Sequence, residues 1–343
     1  MHSLLAIDLT AYWATTTLKV VIVLSIIPAG ALILGYVFLL KMMSFMQSRL
    51  GPMEAGPYGT LQLVADGVKF LQKEDIFPDR ADKRVFALAP VVVLMSTFLL
   101  YLVIPAGPRL IVQDLDTGVI FALAVSSLSV IGVLMAGWAS ANKYALIGAL
   151  RAAGQLIAYE LPLVLAVIGV AMQAGTFSLQ GIVHAQANGE ILGHSIIGNP
   201  FILTQFIGFG LFIMAAQAEL SQTPFDMPVA ESELVAGYMT EYTGFRFLFF
   251  FMGEFGTAFA LAAIGATLFL GGWYVPGVTG TMADVIGPLV LGAKIMLVAF
   301  LIFWVRFSYP RFREDQLQAI AWKFLIPISL ANILATGVLK VVV

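Results

Sequence analysis

About eight stretches of this chain hold roughly 20 mostly apolar residues, the length needed to cross the hydrocarbon core of a bilayer. They lie near residues 18–40, 86–105, 118–138, 155–175, 201–219, 246–272, 286–306 and 323–342. Nothing else constrains the fold as strongly. Unpaired backbone groups are too costly in lipid, so such stretches fold as helices. The expectation is an all-α integral membrane protein, one membrane domain over residues 1–343. Charged residues make up only 11% of the chain, against about 25% in an ordinary globular domain. Mean hydropathy is +0.95. A net charge of −2 offers no basic face for nucleic acid. With no cysteine, the chain supplies no disulfide, thiolate metal site or iron–sulfur ligand. His2, His184 and His194 have no metal-ligand spacing.

Positive charge orients the spans. Lys41, Arg49, Lys69, Lys73, Arg80, Lys83 and Arg84 follow the first span, and Lys143 and Arg151 follow the third. Arg246 ends the fifth-to-sixth connection, and Arg306, Arg311, Arg313 and Lys323 precede the last span. The opposite side has essentially Arg109 and Lys340. The odd-numbered loops are therefore expected in the cytoplasm and both termini outside. No internal repeat is visible, so the inverted halves of many transporters are not expected.

The 41–85 loop contains a helical pattern. Over residues 60–73, Leu61, Val64, Ala65, Val68 and Leu71 fall on one face. Gln62, Asp66, Lys69 and Lys73 fall on the other. Too short and polar to span, the segment reads as a helix lying in the membrane interface or as a plain surface helix.

Ionisable groups within spans are functional candidates, because burying them in lipid is costly. Glu160 lies about 13 Å along the helix from Arg151 and Glu254 about 12 Å from Arg246, at 1.5 Å per residue. Pro162 frees the Ala158 carbonyl near Glu160, and Gly253 and Gly256 flank Glu254. Lys294 lies in the seventh span. The largest anomaly is the 220–245 loop and its entry, with Glu219, Asp226, Glu231, Glu233 and Glu241 before a single Arg. Carboxylates crowded at a low-dielectric boundary raise one another's pKa and can hold and pass protons. A solvated loop or a docking patch for a basic partner has the same composition. No P-loop, GxSxG, HExxH or dinucleotide fingerprint occurs, so the expected chemistry is proton movement and ligand shaping.

Four blocks carry a family resemblance. They are RLGP at 49–52 with GPYGTLQLVADGVKF at 56–70; NKYALIGALR at 142–151 with AYELP at 158–162; PFDMPVAESELVAGYMTEYTG at 224–244 with Glu254; and WVRFSYPRFREDQL at 304–317 with Trp322-Lys323. In content and order they resemble the H/1 subunit family of NADH:quinone oxidoreductase, the complex I membrane subunit beside the quinone site. The family's eight-span architecture matches the whole chain.

The resemblance implies a quinone-entrance helix at 60–73 with Asp66 and Lys69 as its polar pair, and Arg49, Ala65, Phe225 and Arg246 as further entrance residues. It implies that Arg151, Glu160, Glu219, Asp226, Glu231, Glu233, Glu241 and Glu254 are the family's charged residues along an acidic funnel to the membrane proton pathway. Quinone would be the substrate. Iron–sulfur clusters, FMN and NADH would belong to partner subunits, with no cofactor held covalently or through a metal by this chain. Partners would be the peripheral-arm quinone-site subunits, small membrane-arm subunits and lipid, in a bacterial inner membrane. Met53-Glu54-Ala55, Gln222 and Val229 depart from the family's usual Asn-Arg-Val, Arg and Glu. The equivalent subunit of a membrane-bound hydrogenase and a stand-alone ion carrier are the competing readings. The GPYGTLQLVADGVKF block favours the quinone enzyme, and the missing repeats argue against the carrier.

Overall fold

Within a bilayer the backbone has no water to bond, and the regular structure among the described residues is helical throughout. The computed structural model describes residues 9–189, 199–278 and 280–342. His2 and His194 lie outside them. In chain order the main helices are α1 (Trp13–Met46), α2 (Gln62–Gln72), α3 (Lys83–Val103), α4 (Gly118–Ala139), α5 (Lys143–Ala174), α6 (Leu179–Asn188), α7 (Phe206–Glu219), α8 (Gly244–Phe269), α9 (Met282–Ser308) and α10 (Glu314–Val341). Seven are long and apolar enough to span; α7 is the shorter eighth apolar helix.

Two boundaries differ from the expectation in ways that matter for the site. Helix α5 starts at Lys143, so Arg151 is a helical residue rather than a loop residue. Its start is fixed by Asn142, whose Oδ1 accepts a hydrogen bond from the Tyr144 N–H at 2.8 Å. Helix α7 starts only at Phe206, after a turn over residues 201–204. Its 14 residues make about 21 Å.

Apolar burial does not drive helices together in lipid, where close packing of small residues does more. The α4–α5 contact is of this kind. A Cβ on Gly137 would lie 2.2 Å from the Ala149 Cβ. The largest buried cluster includes Ile27, Leu34, Tyr159, Phe212, Phe255 and Phe303. A second, of Phe86, Ala149, Tyr242 and Phe250, closes the end where the acidic connection lies.

The connections segregate to two ends. At one end, Thr243 Oγ1 accepts from the Ile76 N–H at 3.2 Å, and Phe312 N–H donates to Pro224 O at 3.0 Å. The first, fifth and seventh connections thus meet there. At the other end, Lys19 donates to Val112 O at 2.6 Å and Lys340 to Met172 O at 2.5 Å. Arg109 pairs with Asp284 there at 3.7 Å. Lys19, read from the sequence as part of a span, is therefore a further cation on the sparse side, beside Arg109 and Lys340.

A buried acidic cavity and the interfacial helix

The connection between α7 and α8 is largely folded into the protein rather than solvated. It crosses α5 at Gly148, where a Cβ would come within 2.8 Å of Gly237 Cα, Pro228 O and Tyr238 N. A side chain there would push the connection off the helix. Ser221, Ala230 and Val235 have φ of 50°, 37° and 66°, a region costly for residues with a Cβ, most of all a β-branched one. This backbone is held in shape by its surroundings.

Behind the connection is a cavity of about 230 Å³, far above the ~10–15 Å³ that one water needs. Its walls include Glu219 from the end of α7, Asp226 and Glu231 from the connection, and Glu254 from α8. Arg306, near the end of α9, is the single cation among its lining residues. Arg306 lies 3.6 Å from Glu254 and sits among the rings of Phe255, Phe303 and Phe307 at 5.8–5.9 Å. Glu160, on α5, is not among the residues that line the cavity. A wider opening of about 590 Å³ is lined by Thr223, Asp226, Glu231, Ser232 and Arg311. It shares Thr223, Asp226 and Glu231 with the inner cavity, so the two adjoin along that wall.

Burial raises the pKa of Asp226; the Arg306 and Arg311 charges and the Ala230 backbone hydrogen bond pull it down, and Glu231 adds to the rise. Burial likewise keeps the Tyr238 phenol protonated beside Glu254 and Asp226. A neutral hydroxyl and a carboxyl that holds its proton more tightly are groups that can donate and accept along a chain of waters.

The remaining expected site residues are placed elsewhere. Glu233 is at the surface between two cations, accepting from Arg151 at 2.6 Å and pairing with Arg311. The Arg151 hydrogen bond, then the Arg311 charge, outweigh partial burial and lower its pKa. Arg151 also lies 3.7 Å from Glu314. Glu241 faces a separate open depression and accepts from Asn142 at 2.6 Å. Lys294 donates to Gly272 O and Tyr274 O at 2.7 and 3.2 Å, closing the turn after α8 at the opposite end. His184 packs edge-on against Trp273, and no metal-ligand group occurs among the described residues.

Helix α2 packs across α1 and α8. Leu63 meets α1 at Gly35, and Phe70 stacks on Phe247 of α8 with ring centres 5.4 Å apart. The opposite, apolar face points away from the protein: Leu61, Val64, Val68 and Leu71 are 46–61% exposed. Asp66 and Lys69 pair at 3.2 Å, and Ala65 is exposed. Arg246 pairs with Asp75 and lies over Phe77 at 3.9 Å. Arg49 is exposed and bonds Gln47 at 2.8 Å. Phe225 is buried between Tyr159 and Phe312.

Sequence reading missed Arg306 as a cavity residue, placing it with the loop cations. It missed Tyr238 as well. Arg306 stands inside the WVRFSYP block, but nothing local tells that its partner is Glu254 on another helix.

Seven helices long and apolar enough to span, packed around an acidic cavity, define a polytopic helical membrane protein. A family model described as NADH dehydrogenase matches residues 18–337, and the chain belongs to that family. It is 42% identical over 339 residues to the H subunit of NADH-quinone oxidoreductase from Brevibacillus brevis, covering 95% of this chain and 94% of that one. The corresponding protein of Dehalococcoides mccartyi, of the same name, is 46% identical over 291 residues, covering 85% and 77% of the two chains. That of Bacillus thuringiensis is 46% identical over 301 residues, covering 88% and 86%.

Proposed function

We propose that the chain is the membrane subunit of a proton-pumping NADH:quinone oxidoreductase that forms the membrane side of the quinone chamber and couples quinone reduction to proton movement. It would work with peripheral-arm subunits carrying the iron–sulfur clusters and FMN, and with small membrane-arm subunits. The single observation that carries the reading is the cavity. Glu219, Asp226, Glu231 and Glu254 share it, and it adjoins an opening lined by Asp226, Glu231 and Arg311. A proton entering at Asp226 or Glu231 thus has further carboxylates within the same enclosed volume. The helix α2, with its apolar face outward, suits the rim of an opening through which a long-tailed quinone leaves lipid. In a bacterial inner membrane, the charge asymmetry of the connections favours both termini outside.

Glu219→Gln tests the coupling. It keeps the side chain's shape and removes its titration. Quinone-linked turnover and proton pumping should fall together, by about 10²-fold if Glu219 is an obligatory proton carrier, with assembly intact. Parental rate and pumping ratio in an assembled variant would remove Glu219 from the path.

A further inference from the structure

A second pocket, of about 240 Å³, lies at the end of the molecule opposite the acidic cavity. Lys294 and Val290 of α9, Leu270, Gly271 and Tyr274 from the turn after α8, and Gln186 of α6 form most of its wall. Lys294 is the single charged group among the described lining residues, and no Asp or Glu stands with it. Its Nζ donates to Gly272 O at 2.7 Å and to Tyr274 O at 3.2 Å. An ammonium has three N–H donors, so one is left over, and the charge is met by carbonyl dipoles alone. Gln186 is already engaged, donating to Thr267 O at 2.9 Å and accepting from the Phe201 N–H at 3.2 Å. Gly271 keeps the space beside the ammonium free: a Cβ there would stand 3.9 Å from Lys294 Nζ and 3.8 Å from Gln186 Oε1.

The depth of the lysine follows from the helices. Glu254 stands ten residues past the start of α8 at Gly244, about 15 Å along it, and pairs with Arg306 of α9. Lys294 is twelve residues from Arg306, about 18 Å further in the same direction. The two distances match a hydrocarbon core of about 30 Å. With Gly244 at one edge of the core, Lys294 is at the other, level with lipid phosphates. Leu289, next to Val290, is 72% exposed, so this wall borders an outward apolar surface. We propose that the pocket holds the phosphate of an anionic phospholipid, with the remaining Lys294 N–H donating to a phosphate oxygen. The glycerol and upper acyl chain lie against Val290, Leu270 and Val275. A cation at the membrane boundary without a carboxylate is costly, and basic pockets between spans suit acidic headgroups. The apolar walls select a lipid over a free anion, which gains nothing from them. The site is remote from the acidic cavity, so this proposal and the proton-path reading can fail separately.

The test uses the whole assembly, purified and washed free of native lipid in a neutral detergent. Thermal inactivation is followed while short-chain phosphatidylglycerol, short-chain phosphatidylcholine or inorganic phosphate is added. The expected result is a saturable rise of several degrees with phosphatidylglycerol and none with the other two. Val290→Glu places a carboxylate one helical turn before Lys294, where the two can pair, and leaves the lysine's carbonyl bonds in place. It should raise the phosphatidylglycerol concentration for half the effect at least tenfold. Lys294→Gln should do the same and Lys294→Arg should not; this pair decides the matter if the glutamate variant does not assemble. Equal curves with the two lipids would overturn the proposal. So would an equal rise with inorganic phosphate, which would make the ligand a free anion, or a phosphatidylglycerol effect undiminished in the variants, which would place the lipid elsewhere.

Discussion

Asp226 and Glu233 lie in the same short connection, and the fold treats them in opposite ways. Asp226 is turned into the cavity with three other carboxylates and one arginine; Glu233 is turned out between two arginines. Burial makes the first hold its proton more tightly than an ordinary Asp, and the Arg151 hydrogen bond makes the second hold it less tightly than an ordinary Glu. Acidity of a segment is thus no guide to its job. The inward set is short of counter-charge and suited to exchanging protons. The outward set is saturated with counter-charge and fastens the connection to α5 and to the segment before α10.

The contrast is broken most severely at Arg306. Arg306→Gln removes the single cation among the described lining residues and leaves Glu254 without its partner. A fully buried pair loses about 3–5 kcal/mol on such a change. The pair is about a quarter exposed, so about 2–3 kcal/mol is expected, read as lower thermal stability of the solubilised assembly. If stability is unchanged, the cavity is wet enough to screen its own charges and the inward set is no different from the outward one.

The pH dependence sharpens the comparison. A raised carboxyl pKa means that the folded state binds the proton more tightly, so stability falls as pH rises from the ordinary Asp value of 3.8 through the folded pKa. A lowered one has the opposite sign: stability from Glu233 is present above 4.5 and lost as pH falls through its folded pKa. Asp226→Asn should flatten the fall in stability as pH rises above 3.8, and Glu233→Gln the fall as pH drops below 4.5. Thermal stability of each variant against the parent, measured across pH, reads both slopes. The same slope change in both variants would erase the distinction.

At a single neutral pH, Glu233→Gln should cost no more than about 1 kcal/mol, as for other exposed pairs. Its larger consequence is for the opening, because Arg311, freed from Glu233, can turn toward Asp226 and Glu231 in the same pocket. Turnover should fall while stability scarcely changes. An unaltered rate would leave the Arg151–Glu233–Arg311 group a fastening alone.

The smallest expected effect is outside the cavity. Ala65→Trp enlarges the outward apolar face of α2, should leave stability unaltered, and should slow long-tailed quinone a few-fold more than a short-tailed analogue in reconstituted enzyme. Equal slowing of both would leave α2 a surface anchor.

How much of this was legible follows from what hydropathy measures. Desolvated stretches are local, so the spans, the face pattern of α2 and the crowding of acids around 219–241 could be read directly. Helix ends outside the bilayer carry no apolar signal, which is why Arg151 read as a loop residue although α5 begins at Lys143. The start of α7 was hidden for the converse reason: residues 201–205 are nearly as apolar as the helix that follows. The partition of the acids depends on which helix a segment folds against. Glu241 stands with Asn142, Glu233 with Arg151 and Glu254 with Arg306, and none of these pairs is local in sequence.

The unequal lengths of α5 and α7 also shape the membrane around the protein. With 32 residues, α5 runs about 48 Å, well beyond a hydrocarbon core of about 30 Å, and lifts Gly148 and Arg151 toward the connection they support. Helix α7 runs less than half that distance, and Leu203, Phe206 and Ile207 at its far end are 56–73% exposed. Acyl chains placed against that face would have a shorter apolar wall to match, and the leaflet beside α7 would thin or the protein tilt, at a fraction of a kcal/mol per Å of misfit. A preference for bilayer thickness would then be set on one flank of the molecule, the flank where α7 ends at Glu219.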